Sequence, residues 1–116
     1  MNICEFYTAV GGDFEEVSGR LQNEALISRF VKKFAADPSH AELIKARAAG
    51  DIESTFRAAH TLKGVAASLG LSSLFSAASE LTELLRPRKE IPEEKYFTAL
   101  EKEYKKVIDA IEKLDA

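Results

Sequence analysis

The residues with the clearest capacity for chemistry stand close together in this chain: His60, Lys63 and Gly64, within the run from Asp51 to Gly70. Positions i, i+3 and i+4 share one face of an α-helix. An imidazole and an ammonium therefore stand side by side, with a residue lacking a side chain one turn along from the imidazole. A neutral imidazole is a nucleophile toward phosphorus, and an exposed histidine with an ordinary pKa near 6.5 is mostly neutral around pH 7. Lys63 offers a cation to the charge of a phosphoryl group in transfer. Glycine inside a helix costs about 1 kcal/mol relative to alanine, so Gly64 needs a packing or functional reason, and close approach by another molecule is one.

The element that must position these residues is readable from its opposite side. Ile52, Thr55, Ala59, Leu62, Ala66 and Leu69 recur at alternating steps of three and four, the period of a helix seam packed on other helices. Asp51 is placed to cap the start, and Gly70 to end the helix in a left-handed conformation. His60, Lys63, Gly64 and Ala67 form a second stripe directed at solvent.

The rest of the chain reads as scaffold. Ile3, Phe6, Tyr7 and Val10 suggest a short lid helix stopped by Gly11-Gly12, and Asp13 caps a second short turn through Leu21. Asn23 opens a longer helix whose apolar face is Leu26, Ile27, Phe30, Val31 and Phe34. Asp37-Pro38 breaks it. Ser39 and Glu42 have capping-box spacing ahead of a short helix anchored by Leu43 and Ile44. After Gly70, Ser72 or Ser73 can cap a helix striped with Leu71, Leu74, Phe75, Ala78, Leu81 and Leu85. Phe97, Leu100, Tyr104, Val107, Ile111 and Leu114 mark the last helix. Four long helices, short loops and no strand pattern predict an all-α fold, an antiparallel up-and-down four-helix bundle with short additional N-terminal helices. The strict heptad of the last helix also suits an intermolecular coiled coil, but the other apolar faces need partners within the chain, so a monomer is expected.

Composition bounds the function. With 116 residues the chain is read as one domain, 1–116, and 46% hydrophobic with 30% charged residues is the balance of a soluble globular protein. A net charge of −3 with interspersed signs argues against nucleic acid. No apolar run approaches the roughly 20 residues of a membrane span, and the N-terminus lacks an export pattern, so cytoplasmic residence is expected. The single Cys4 makes no internal disulfide and reads as a small buried apolar residue. His40 has no acid partner at helical spacing and reads as structurally incidental. Arg86, Arg88 and Lys89 read as a solvated turn.

His60-Thr61-Leu62-Lys63-Gly64, followed by Ala66, Gly70 and Leu74, resembles the signature of histidine-containing phosphotransfer (HPt) domains. Gly11-Gly12-Asp13, Leu21 and Phe34 extend the likeness over nearly the whole chain. The resemblance implies a relay role, in which His60 takes a phosphoryl group from one response-regulator receiver aspartate and passes it to another through a phosphohistidine. It also implies receiver domains and a hybrid histidine kinase as partners, with magnesium supplied by the receiver and no cofactor of the chain's own. The chain itself has no nucleotide loop and no carboxylate cluster for magnesium, so no kinase activity is expected of it. In the family Leu81 is usually followed by a Glu or Gln that bonds the histidine. Here the residue is Thr82, open to a shorter or water-mediated contact or to none, while Glu83 is expected to point elsewhere.

Three other classes compete with that reading. A helical adaptor that keeps the fold without the relay differs in its phosphoryl acceptance. A metal-binding bundle needs Glu-x-x-His pairs or several inward histidines, which this chain lacks. The dimerisation helices of a sensor kinase carry an acidic residue directly after the histidine, where this chain has Thr61.

Overall fold

Aspartate and asparagine open most of the helices. In a computed structural model of the protein, which describes residues 1–115, seven helices follow in order: α1 (Ile3–Ala9), α2 (Phe14–Leu21), α3 (Glu24–Phe34), α4 (Ser39–Ala48), α5 (Ile52–Ser68), α6 (Ser72–Leu85) and α7 (Glu94–Glu112). The side chains of Asn2, Asp13, Asn23 and Asp51 accept hydrogen bonds from backbone N–H groups in the first turns of α1, α2, α3 and α5. Each satisfies a donor that has no partner within its helix.

The chain folds as an all-α bundle, as its periodicity implied. α5 lies between α4 and α6, and α6 also packs on α7. α7 runs antiparallel to the α3–α4 segment: Lys32 Nζ donates to the Asp115 carbonyl, Phe34 packs on Tyr104, and the Arg47 guanidinium covers Phe97. Proline at position 38 divides the first side of the bundle. α3 and α4 succeed one another across Ala35–Pro38 instead of packing together. α1 and α2 close one end.

The core is continuous from Phe6 and Tyr7 through Leu62, Leu81 and Leu100, all at most 1% exposed. At about 25 cal/mol per Å² of apolar surface removed from water, side chains of this size each contribute about 2 kcal/mol. α5 supplies Thr55, Ala59, Leu62 and Ala66 to this core, with Leu69 at its C-terminal cap and Phe56 and Ala58 added beside them. The small residues let neighbouring helices approach its axis closely.

The C-terminal end of α5 is clamped. Gly70 has φ +66°, and a Cβ there would stand 2.2 Å from the Val17 side chain, so only glycine suits both the backbone and the space. Its carbonyl accepts from the Asp13 N–H at 2.9 Å, and Tyr7 Oη donates to the Leu69 carbonyl at 2.6 Å. Burial pushes the Tyr7 phenol up to about 12, so this donor keeps its proton at any physiological pH. The spacing of Gly11-Gly12-Asp13 and Gly70 thus has a tertiary cause.

Several local expectations are corrected. Cys4 is exposed, because the buried face of α1 is Ile3, Phe6, Tyr7 and Val10, and position 4 falls outside it. The Ser39–Glu42 capping box does not form. Asp37 accepts from the Ser39 N–H at 2.9 Å, Ser39 itself is buried, and α4 has no side-chain cap at Pro38. Neither Ser72 nor Ser73 caps α6, whose first turn follows Leu71; Ser73 Oγ instead donates to the Gly11 carbonyl. Ile44 is 47% exposed and Phe30 37%, leaving Leu43 as the anchor of α4.

Candidate functional site

α5 carries His60 at its middle, held by the capped start at Asp51 and the clamped end at Gly70. With both ends fixed and the Leu62 seam fully buried, the rotation of the helix is set, and the opposite stripe must face out. His60, Gly64 and Ala67 are exposed and Lys63 is half-buried. His60 stacks on Phe56, one turn earlier, with ring centroids 5.9 Å apart and planes at 11°. Among the described residues no hydrogen bond is made to the imidazole, and the residue is exposed.

The surface around it is open. A Cβ built on Gly64 would meet no atom within 4 Å beyond its own helix. Internal packing therefore gives no reason for this glycine, and its cost in helix propensity is not repaid inside the bundle. Beyond Gly64 a shallow groove runs between α5 and α3, lined by Phe30, Lys33, Thr61, Gly64 and Val65. The exposed ring of Phe30 forms part of its wall.

Thr82 does not reach this face. It is fully buried, and its hydroxyl donates to the Ala78 carbonyl at 2.7 Å, one turn back on α6. Its single proton is thus spent inside the helix, and the residue has no donor to offer the imidazole.

Glu83, expected to point elsewhere, is exposed and lies within the electrostatic field of the site. The hydrogen bond from Arg86 holds its carboxyl below the usual range, the Arg86 charge acts in the same direction, and the charges of Lys63 and of a protonated His60 add to it. Arg86 and Arg88 are likewise more than a solvated turn: both guanidinium groups lie over the Phe56 ring. Sequence spacing misses Phe56, Glu83, Arg86 and Arg88. Only Phe56, at i−4 from His60, had a local signal.

His40 lies across the bundle from this stripe. It stacks on Tyr104, with centroids 3.6 Å apart, and its Nε2 is hydrogen-bonded to Glu101, both on α7. Among the described residues no three His, Cys, Asp or Glu side chains come together as a metal site, and no helix is long and apolar enough to cross a membrane.

An exposed imidazole, without a hydrogen-bond partner among the described residues, on the open flank of a bundle helix marks the chain as a helical module with a surface site. Comparison with known families agrees in kind: the Hpt domain family model matches residues 20–113, and the chain belongs to that family. Its role is in phosphotransfer within two-component signalling, where domains of this family interact with receiver domains and kinases. No curated protein and no solved structure gives a significant match.

Proposed function

We propose that the protein is a relay carrier, in which His60 accepts a phosphoryl group from the aspartyl phosphate of one response-regulator receiver domain and delivers it to the aspartate of another. The observation that supports this most strongly is the pairing of an exposed His60, without a hydrogen-bond partner among the described residues, with a Gly64 whose missing side chain leaves open space. In the forward step the lone pair of a ring nitrogen forms the N–P bond. The P–O bond to the donor aspartate breaks, its electron pair leaves with the carboxylate, and the proton on the other ring nitrogen is exchanged with solvent. The reverse sequence on a second receiver discharges the histidine.

Phosphoryl transfer depends mainly on alignment and neutralisation of charge. Lys63, one turn from His60, supplies one cation, and the partner's magnesium supplies the rest. Gly64 keeps the approach clear for the receiver's loops. The chain acts as a cytoplasmic monomer, and it exchanges phosphoryl groups without kinase activity of its own.

The test is incubation with phosphorylated receiver domains encoded in the same genome, followed by mapping of the label. Acid-labile, base-stable phosphate on His60 is the expected result. No label from any receiver, or label on another residue, would sink the proposal.

A further inference from the structure

Phe56 gathers three groups around one ring. The His60 imidazole lies parallel to it at 5.9 Å, the Arg88 guanidinium carbon is 3.7 Å from its centroid, and that of Arg86 is 5.4 Å away. The two arginines, both on the turn that leaves α6, are held differently. Arg88 is fixed: Nε donates to Glu53 at 2.9 Å, a terminal nitrogen donates to the Arg86 carbonyl at 2.9 Å, and its backbone sits at φ +53°. A non-glycine residue stays in that left-handed region only where its surroundings hold it. Apart from its place over Phe56, Arg86 has a single side-chain hydrogen-bond partner among the described residues, Glu83, at 2.7 and 3.3 Å. Both members of that pair are about half exposed, at 48% and 56%, so solvent and other anions can compete for it, and among the described residues Arg86 has no backbone carbonyl anchor of the kind Arg88 has.

Resting on the reading of His60 as the phosphoryl acceptor, we propose that Arg86 is a phosphoryl-binding arm held in reserve by Glu83, released to the phosphohistidine when His60 is charged. A phosphoryl group brings close to two negative charges and three strong acceptor oxygens, and the planar guanidinium fork fits two of them at once. The single carboxylate of Glu83 is the poorer partner. Arg88, bound to Glu53 and Phe56, keeps the turn in place so that only the Arg86 side chain has to swing. Glu83 then has two effects on the resting site: it occupies Arg86 and adds a negative charge near the incoming phosphoryl group. Arg57 and Lys63, the other cations near His60 on α5, stay on their own helix, and Arg57 is 3.7 Å from Glu53.

The test uses phosphoramidate, whose P–N bond breaks to release ammonia as the new N–P bond to the imidazole forms. With the whole chain labelled with ¹⁵N-arginine, the Arg86 Nε–Hε resonance should move when His60 is charged and stay still in His60→Gln given the same reagent. A merely structural Arg86 would show no more than the through-space shift that the anchored Arg88 shows. Arg86→Gln should charge several-fold more slowly than the parent, and Glu83→Gln several-fold faster, with circular dichroism confirming the fold of both. If His60 becomes charged while the Arg86 resonance moves no more than that of Arg88, or if Arg86→Gln charges at the parental rate, the reserve arm is wrong although the acceptor reading survives. If the parent takes no phosphoryl group on His60, the acceptor reading fails first and the arm with it.

Discussion

The two histidines of this chain carry the same side chain into opposite situations. His60 is exposed on α5, stacked on Phe56 and beside the empty space over Gly64. His40 is pressed against Tyr104 and bonded to Glu101, with 16% of its side chain exposed. A ring nitrogen bound to a carboxylate and a face covered by an aromatic ring leave little for a reaction partner to reach. The chemistry open to an imidazole is thus decided by what the fold leaves unsatisfied, and the position proposed as the acceptor is the exposed one, without a hydrogen-bond partner among the described residues. His40 instead ties α4 to α7, two elements far apart in sequence.

Exchanging the histidines one at a time is the sharpest way to break this contrast. His60→Gln should fold as the parent does and accept no phosphoryl group, since glutamine keeps size and polarity but has no nucleophilic ring nitrogen. Label persisting on that variant, measured after transfer from a phosphorylated receiver, would remove the distinction between the two sites.

The next largest effect is expected at Gly64. Because a Cβ there meets nothing, Gly64→Ala should raise the melting temperature slightly, by up to about 1 kcal/mol of stability. Gly64→Gln should also fold at least as well as the parent, yet fill the approach to His60 and slow transfer on the order of tenfold or more. A melting temperature several degrees below the parent would mean that the glycine serves packing.

Lys63→Ala should retain the fold and slow transfer only a few-fold, because on the proposed relay reading Lys63 is one cation among several and the partner's magnesium supplies the rest. Equal rates in both directions, followed with radiolabelled receiver, would make Lys63 an ordinary surface lysine. At His40 the expectation reverses: His40→Gln should leave transfer unchanged and lower stability by about 1 kcal/mol, through loss of the Tyr104 stack and weakening of the Glu101 contact. Denaturant unfolding with a parental midpoint would show that the α4–α7 tie is not stabilising.

The smallest effect concerns acid. Hydrogen bonds from the Ser54 N–H and hydroxyl hold the Asp51 carboxyl below its usual range, so the folded state binds that proton less readily than the unfolded chain. This contribution is present above the ordinary carboxylate range and is lost as pH falls through the lowered folded value. Asp51→Asn should therefore flatten the acid limb of the stability curve slightly, through a small loss at neutral pH and little change in acid. An unaltered acid limb in thermal melts would remove the Asp51 cap as a source of pH dependence.

The sequence by itself determined the helical class, the seam of α5, its caps at Asp51 and Gly70, and the outward stripe of His60, Lys63 and Gly64. These are local properties: they follow from a period of 3.6 residues and from the short reach of a capping side chain. The tertiary structure alone decided which polar groups meet across elements. The Glu101 and Tyr104 partners of His40 lie more than sixty residues downstream, and no helical spacing could have found them. Thr82 and Glu83 changed places in the same way, since the packing of α6 on α5 turned the threonine into the core and left the carboxylate beside Arg86 at the edge of the site. Cys4 and Ile44 are exposed for the converse reason: hydrophobic character gives a preference for burial, but only the angle at which a helix docks selects the residues that achieve it.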